Sequence, residues 1–436
     1  MNAPALSTRR VTDFVWLGQA PWRASAGRAA PRPEDASSLW GQFALHERDG
    51  AGGHVLARDR LGVNKLFFAL TASGEVDSSN FLFDLLQRGH RLGDVWSVPS
   101  GHALALSPSR GEYRLHRHAA LDFAESDEQA LVAGIRAALA TTFERLATLL
   151  AGRRLFVTLS GGLDSTTVAM LAREHLGEFT AVTFAMEGGG GESDDLRHAR
   201  LAARGAGVPL EVVTATPDEL AELLDLVLLH GQDWRDFNVH CGLVNAAIGR
   251  RLRERLGPDG DSPAPVLLTG DSMNELMADY RPVVYKGVEY YGLPRLAGAQ
   301  LRRFLVSGLD AGDREVGIFN AFGLDTVQPY ALAAEAYAAV PGERLEDPRA
   351  KQELVRLVMG ARIPEAIYAR PKLRAQVGSH DVGGTLAAIA DRGIDAAALR
   401  RRFADLLGVE ERELGALIRG GRYRFSLQAP WEAAQA

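Results

Sequence analysis

Residues 154–166 read Arg154-Leu155-Phe156-Val157-Thr158-Leu159-Ser160-Gly161-Gly162-Leu163-Asp164-Ser165-Thr166. Leu155 to Leu159 is an almost wholly apolar run, the pattern of a strand buried on both faces in a parallel sheet. The glycine pair breaks that run, and a helical pattern follows from Thr166 to Arg173. A strand entering a helix through a glycine turn brings backbone N–H groups close to a phosphate, and the helix N-terminus favours its charge. Ser160, Ser165 and Thr166 add hydroxyl donors, and Asp164 can hold Mg²⁺ against the phosphates. The turn has no Gly-Lys-Ser/Thr ending and no GxGxxG spacing, so neither of the two commoner nucleotide loops is present.

Outward from this unit the pattern repeats. Leu131, Ile135, Leu139, Phe143, Leu146 and Leu150 fall three or four apart and predict an amphipathic helix before it. A second buried strand, Ala181 to Phe184, leads to the Gly188–Gly191 run and a helix through Ala203. Val212-Val213 and Val266-Leu267-Leu268 read as third and fourth strands, and the chain from about Ala297 reads as mainly helical. Alternating strands and helices predict an α/β fold with a doubly wound parallel sheet. Upstream the pattern differs. Gln42 to His46, His54 to Ala57, Leu66 to Ala69, Ala103 to Ser107 and Tyr113 to His116 are short strands separated by turns. The expected division is a β-rich domain over 1–122 and the parallel-sheet domain over 123–436. Arg9, Arg10, Arg23 and Arg28 give the start of the chain a faint transit-peptide flavour, but it reads better as a frayed terminus.

Composition narrows the function classes. The 436 residues are 46% hydrophobic and 24% charged, an ordinary globular balance. A net charge of -6 offers no basic footprint for nucleic acid. The single cysteine, Cys241, excludes an internal disulfide framework and a zinc site built from several thiolates. No apolar run reaches the roughly 18 residues that span a bilayer. The expectation is a cytoplasmic protein with no nucleic-acid or membrane partner.

The Ser160–Thr166 string resembles the PP-loop of the ATP pyrophosphatases, which cleave ATP between the α- and β-phosphates. Further segments are similar to the asparagine synthetase-like amidotransferases. Thr269-Gly270-Asp271-Ser272-Met273-Asn274-Glu275 stands in the place of that family's second nucleotide loop. Arg58-Asp59-Arg60-Leu61-Gly62, after Gly41 to Leu45, looks like a turn of the family's N-terminal glutaminase-type domain. Gly323 to Tyr330, Ile363-Pro364-Glu365 and Arg370-Pro371-Lys372 resemble its later segments. The resemblance implies an Ntn-hydrolase-like domain over 1–122, a degenerate glutaminase, and an ATP pyrophosphatase domain with a helical C-terminal region over 123–436. Glutamine-using members carry a catalytic cysteine after the initiator methionine, whereas this chain begins Met1-Asn2-Ala3. β-Lactam synthetases and lasso-peptide cyclases share that loss. The implied activity is an ATP-dependent amide-forming ligase or cyclase that releases AMP and pyrophosphate, in natural-product metabolism. The rivals are an ammonia-using synthetase and a decayed nucleotide-binding scaffold.

The resemblance also assigns roles. Leu159, Ser160, Gly161, Gly162, Asp164, Ser165 and Thr166 would hold the ATP phosphates, Val182, Thr183 and Phe184 would line the adenine, and Thr269 and Gly270 would continue the pocket. Mg²⁺ would meet Asp164, Asn274 and Glu275, with Asn274 standing where an aspartate is usual. Asp271 occupies a position tied to the attacking amine, which must lose a proton before attack. Glu275, Lys351 and Lys372 complete the catalytic candidates; a lysine suits a place where negative charge builds. The implied partners are a small-molecule or peptide substrate bearing a carboxylate and an amine and, by analogy, a second copy of the chain. Glu192 to Asp195 reads as a helix cap with first-turn acids, residues 281–294 as a substrate lid or a packed excursion, and His240 and Cys241 as core.

Overall fold

The expected strand and its neighbours form a five-stranded parallel sheet. Its strands are β1 (Leu155–Thr158), β2 (Thr180–Met186), β3 (Leu210–Ala215), β4 (Val266–Leu268) and β5 (Asp325–Val327), in spatial order β3-β2-β1-β4-β5. The chain steps outward from β1 to β3, then returns to the other side of β1 with β4. The order therefore reverses between β1 and β4, and a doubly wound sheet leaves its crevice at the carboxyl ends of those two strands. Successive residues of β2 and β4 are buried, so both sheet faces are covered. The structure is a computed structural model that describes residues 9–22, 38–48, 52–187, 192–257, 263–280, 282–370, 384–419 and 422–423.

Helix α1 (Glu128–Leu149) precedes the sheet, capped by the Asp127 carboxylate, and buries Leu131, Ile135, Leu139, Phe143 and Leu146. Helix α2 (Leu163–His175) starts earlier than the sequence pattern suggests, because Gly162 itself takes the cap position. Helices α3 (Asp194–Ala206), α4 (Asp236–Leu256) and α5 (Ala350–Met359) complete the surroundings of the crevice. Among the described residues no helix is long and apolar enough to cross a membrane.

Two stretches depart from the sequence reading, and a third takes a form that the sequence left open. The fifth strand lies inside the stretch read as helical: it is only three residues long, and its Asp325 is buried by Arg9 (2.5 Å) and Arg153. Phe14–Leu17 and Ala20–Trp22, read as a frayed start, pair with each other, and the first also pairs with Leu39–Gln42. Burial of Val15 and Trp22 explains this order. Within 281–294, Val283–Tyr285 and Val288–Tyr290 form a hairpin whose turn, Lys286-Gly287, has positive φ at both residues.

The β-rich N-terminal region also holds a four-stranded antiparallel sheet (Ala44–Arg48, His54–Arg58, His102–Ser107, Glu112–Arg117) and a three-stranded one (Phe67–Leu70, Val76–Ser79, Trp96–Ser97). It is joined to the parallel-sheet region by buried polar contacts. Arg58, fully buried, donates to the carbonyls of Asn64, Gly62 and Val98 and to Asp310 Oδ1 at 2.6–3.0 Å. The Gln42 carboxamide donates to Thr326 O (2.8 Å) and accepts from Gln328 N (3.2 Å). It thereby occupies the free edge of β5 as a neighbouring strand would, which closes an otherwise unpaired edge.

Candidate active site

A cavity of about 500 Å³ opens at the carboxyl ends of β1 and β4, where the strand order reverses. One wall is the glycine turn: Leu159, Ser160, Gly162, Leu163, Asp164 and Ser165 all line it. Gly161 has φ +71°, and a Cβ there would strike the backbone of His198 and Ala199 in α3, so only glycine lets the turn lie against that helix. No side chain caps α2, so its first N–H groups remain available to a phosphate. The Ser165 hydroxyl holds the loop by accepting from Ser160 N and meeting Ser160 Oγ, both at 3.2 Å. The second loop locks onto the first at Gly270, where a Cβ would lie 2.8 Å from Ser165 N.

Val182, Thr183 and Phe184 line the cavity along β2, while α4 contributes Phe237, Cys241, Val244, Asn245 and Ile248. That stripe at helical spacing makes a largely apolar wall suited to a flat ring. Cys241, read from sequence as core, is half-buried and faces this cavity. His240 is core: it is buried, its Nδ1 lies 2.7 Å from Tyr291 Oη, and burial pushes its pKa down to about 4.

Lys351 enters from α5, and its Nζ donates to Asp164 Oδ2 (2.8 Å) and Asn274 Oδ1 (2.9 Å) and pairs with Asp279 Oδ2 (2.8 Å). Burial alone would lower its pKa, but the Asp164 and Asp279 carboxylates override that and hold it above the ordinary lysine value. The ammonium is therefore fixed and charged beside the glycine turn. Asp164 Oδ1 is buried with no hydrogen-bond partner, as is Thr166 Oγ1. Asp164 and Asn274 offer the hard oxygens that Mg²⁺ prefers, and Mg²⁺ held with substrate phosphates needs only one or two protein carboxylates. The donor set fits that ion.

A second cation, Arg370, closes the rim. Its Nε donates to Asp194 Oδ2 (2.7 Å), its Nη1 to Ser160 O (3.1 Å), and its Nη2 to Asp195. Asp195 lines the cavity, and burial pushes its pKa up to about 6 against the pull of Arg370. Ser193 caps α3 (3.2 Å to Leu196 N), so Asp194 and Asp195 both begin a helix and anchor the arginine.

Beside the second loop lies a cluster built on Arg314. This guanidinium sits over the Phe237 ring and donates to Glu315 Oε1 (2.6 Å), Glu275 Oε1 (2.9 Å) and Asp271 Oδ1 (3.3 Å). Glu275, expected at the metal, instead lies behind Arg314 and Tyr280 (2.7 Å from its hydroxyl) and is not part of the cavity wall. Asp271 and Glu315 do line the cavity. Burial and the adjacent Asp271 carboxylate, which shares a hydrogen bond with it, hold Glu315 well above the usual carboxylate range. Thr269 is buried behind the second loop, its N–H donating to Val327 O. Lys372 and residues 188–191 lie outside the described residues. Arg314, Glu315, Asp279 and Arg370 escape the sequence reading, since their cavity partners lie far along the chain with no local motif, up to 210 residues away for Arg370 and Ser160; only the arginine of Arg370-Pro371-Lys372 carried a hint.

These features define a class: an α/β domain with a glycine turn, a fixed lysine and an acid pair around a cavity at one end of a parallel sheet. Residues 134–308 match the family model described as Asparagine synthase, a stretch that holds the glycine turn and the Thr269–Glu275 loop and ends before Arg314. The match supports an asparagine synthetase-like family for that stretch. Among solved structures the chain has a slight likeness to NMN synthetase from Francisella tularensis, at 12% identity and a TM-score of 0.32 over 66% of this chain and 88% of that one. No curated protein matches the chain.

Proposed function

We propose that the chain is an amide-forming ligase that works through an acyl-adenylate and uses an amine carried by its substrate rather than glutamine. The carrying observation is that the glycine turn, Lys351 and the Asp271–Glu315 pair share one cavity. ATP phosphates lie on the turn and the open end of α2, with the base against the apolar wall of α4. Lys351 exchanges its carboxylate partners for phosphate oxygens, placing a fixed charge where negative charge grows. Asp164 and Asn274 would hold Mg²⁺, which neutralises phosphate charge when bound. The substrate carboxylate attacks the α-phosphorus, the bond to the β-phosphate oxygen breaks, and pyrophosphate leaves. The amine then attacks the acyl carbon, its proton passes to the Asp271–Glu315 pair, and AMP departs. Burial and the Asp271 carboxylate raise the proton affinity of Glu315, so the pair takes up the proton while one of its two groups is ionised. Holding both ends of the substrate in one cavity makes the second step effectively unimolecular.

Two features support the absence of glutamine hydrolysis. The only cysteine of the sequence, Cys241, faces the nucleotide cavity from α4. In the β-rich region, the motif arginine Arg58 is fully occupied by carbonyls and Asp310. Loss of the glutaminase and an altered second loop suit specialised, natural-product metabolism. The test is isotopic: an acid carrying ¹⁸O in its carboxylate transfers one label to AMP if the adenylate forms. Unlabelled AMP, with amide produced, contradicts the reading.

A further inference from the structure

Between the β-rich region and the acid pair runs a continuous set of buried hydrogen bonds that the proposed chemistry has not used. Gln42, 1% exposed, fixes both Thr326 O and Gln328 N. Its own amide also donates to Asn64 Oδ1 (3.0 Å), and Asn64 Nδ2 donates to Asp13 Oδ1 (3.1 Å). The Gln328 side chain then reaches in two directions. Its Oε1 accepts from Ser272 Oγ (2.8 Å) in the second loop, and its Nε2 donates to Glu315 Oε2 (3.2 Å). Ser272 has φ +74°, a conformation that a serine holds only under restraint from its surroundings. One carboxamide thus ties the second nucleotide loop to Glu315, and the β-rich region decides where that carboxamide stands.

We infer that Gln328, set in place by Gln42, is a positioning residue that holds Glu315 against Asp271 for the amine-activating step, so that the β-rich region governs amide formation and not adenylation. This rests on the ligase reading above. The groups facing Glu315 are Arg314, whose Nε occupies Oε1, the Asp271 carboxylate, and Asp313 on its own segment; Arg314 is in turn held by Glu275 and Tyr280. Gln328 is the neutral donor on Oε2, so it favours the carboxylate over the acid. None of Gln42's hydrogen-bond partners (Asn64, Thr326 O and Gln328 N) lines the cavity, so it acts through the backbone of Thr326 and Gln328.

Two measurements test this. Difference infrared titration of the free protein, with the Glu315 band assigned by Glu315→Gln, needs no substrate. Gln328→Met should raise the midpoint of that band by about 1 pH unit, the size expected for losing one hydrogen bond to a charged group. Gln42→Met should raise it by roughly half as much. Gln42→Asn, shorter by one methylene, serves where the methionine variant does not fold. An unmoved midpoint in the Gln42 variants overturns the inference. The second measurement uses acid pools that support ATP–pyrophosphate exchange. Gln42→Met should leave exchange within twofold, lower amide formation at least tenfold near neutral pH, and recover product with hydroxylamine, which needs no base at that pH. An equal fall in exchange and amide formation overturns it as well. Failure of exchange in the unaltered protein would count against the ligase reading alone, because the infrared result judges the coupling independently.

Discussion

Two regions of this molecule bury charge, and they do so differently. Where the β-rich region meets the parallel sheet, Arg58 and Asp59 are saturated. Arg58 makes six hydrogen bonds to carbonyls, Ser97 and Asp310. The neighbouring Asp59 accepts from the N–H groups of Phe43, Leu61, Val63 and Asn64. At the carboxyl end of the sheet, Lys351 is shared among three oxygens on two loops, while Asp164 Oδ1 and Thr166 Oγ1 have no partner. A saturated buried charge can do nothing further without breaking bonds. A cluster left partly unsatisfied beside a cavity is poised for a ligand. The contrast separates scaffold from site even though both regions carry motif residues.

Breaking the saturated side should have the largest effect. Arg58→Met strands Asp310 and several carbonyls, and should destabilise the fold by about 3–5 kcal/mol, the range for opening a buried pair; urea unfolding measures it. On the other side, Lys351→Ala should lower turnover about 100- to 1,000-fold, as removal of a fixed charge from a transition state does, with the melting temperature near the parent's. If Lys351→Ala melts like Arg58→Met, the contrast is wrong.

Acid sharpens the comparison further. His230, fully buried at the junction between the Phe81 and Phe83 rings, has its pKa pushed down from 6.5 to about 4 by burial. The unfolded chain therefore binds more protons between those values, and stability falls as pH drops through that window. His230→Phe should reduce the stability lost between pH 7 and pH 5 by about 2 kcal/mol, read by unfolding at both values. The smallest effect belongs to the hairpin tip, where Lys286 and Tyr285 meet Asp391 on the exposed surface. Lys286→Ala should leave the melting temperature unchanged, since a solvated pair contributes little.

Much of the sheet was legible because its strands are apolar runs bounded by glycine turns, and both loops carry spacing that survives in one dimension. β5 was not, because three residues give no period and Asp325 looks like a surface residue until Arg9 and Arg153 cover it. Lys351 was singled out by resemblance, but its partners were hidden: Asp164 lies 187 residues away. Glu275 and Asp271 sit in one loop, and both stand among the catalytic candidates of the sequence. The helical turn Met273–Leu276 points Glu275 back at Arg314 and leaves Asp271 at the cavity. Glu315 had no signal beyond its charge, since its role depends on Arg314, Asp271 and Gln328 meeting around it.

Under the proposed function, the partly unsatisfied cluster at the sheet's end cleaves ATP between the α- and β-phosphates. Phosphorus NMR of the protein with ATP, Mg²⁺ and pools of amine-bearing carboxylic acids tests it most directly. AMP and pyrophosphate should appear in equal amounts with at least one pool, and neither product should appear with Asp164→Ala. ADP and orthophosphate, or AMP formation that survives Asp164→Ala, would contradict it.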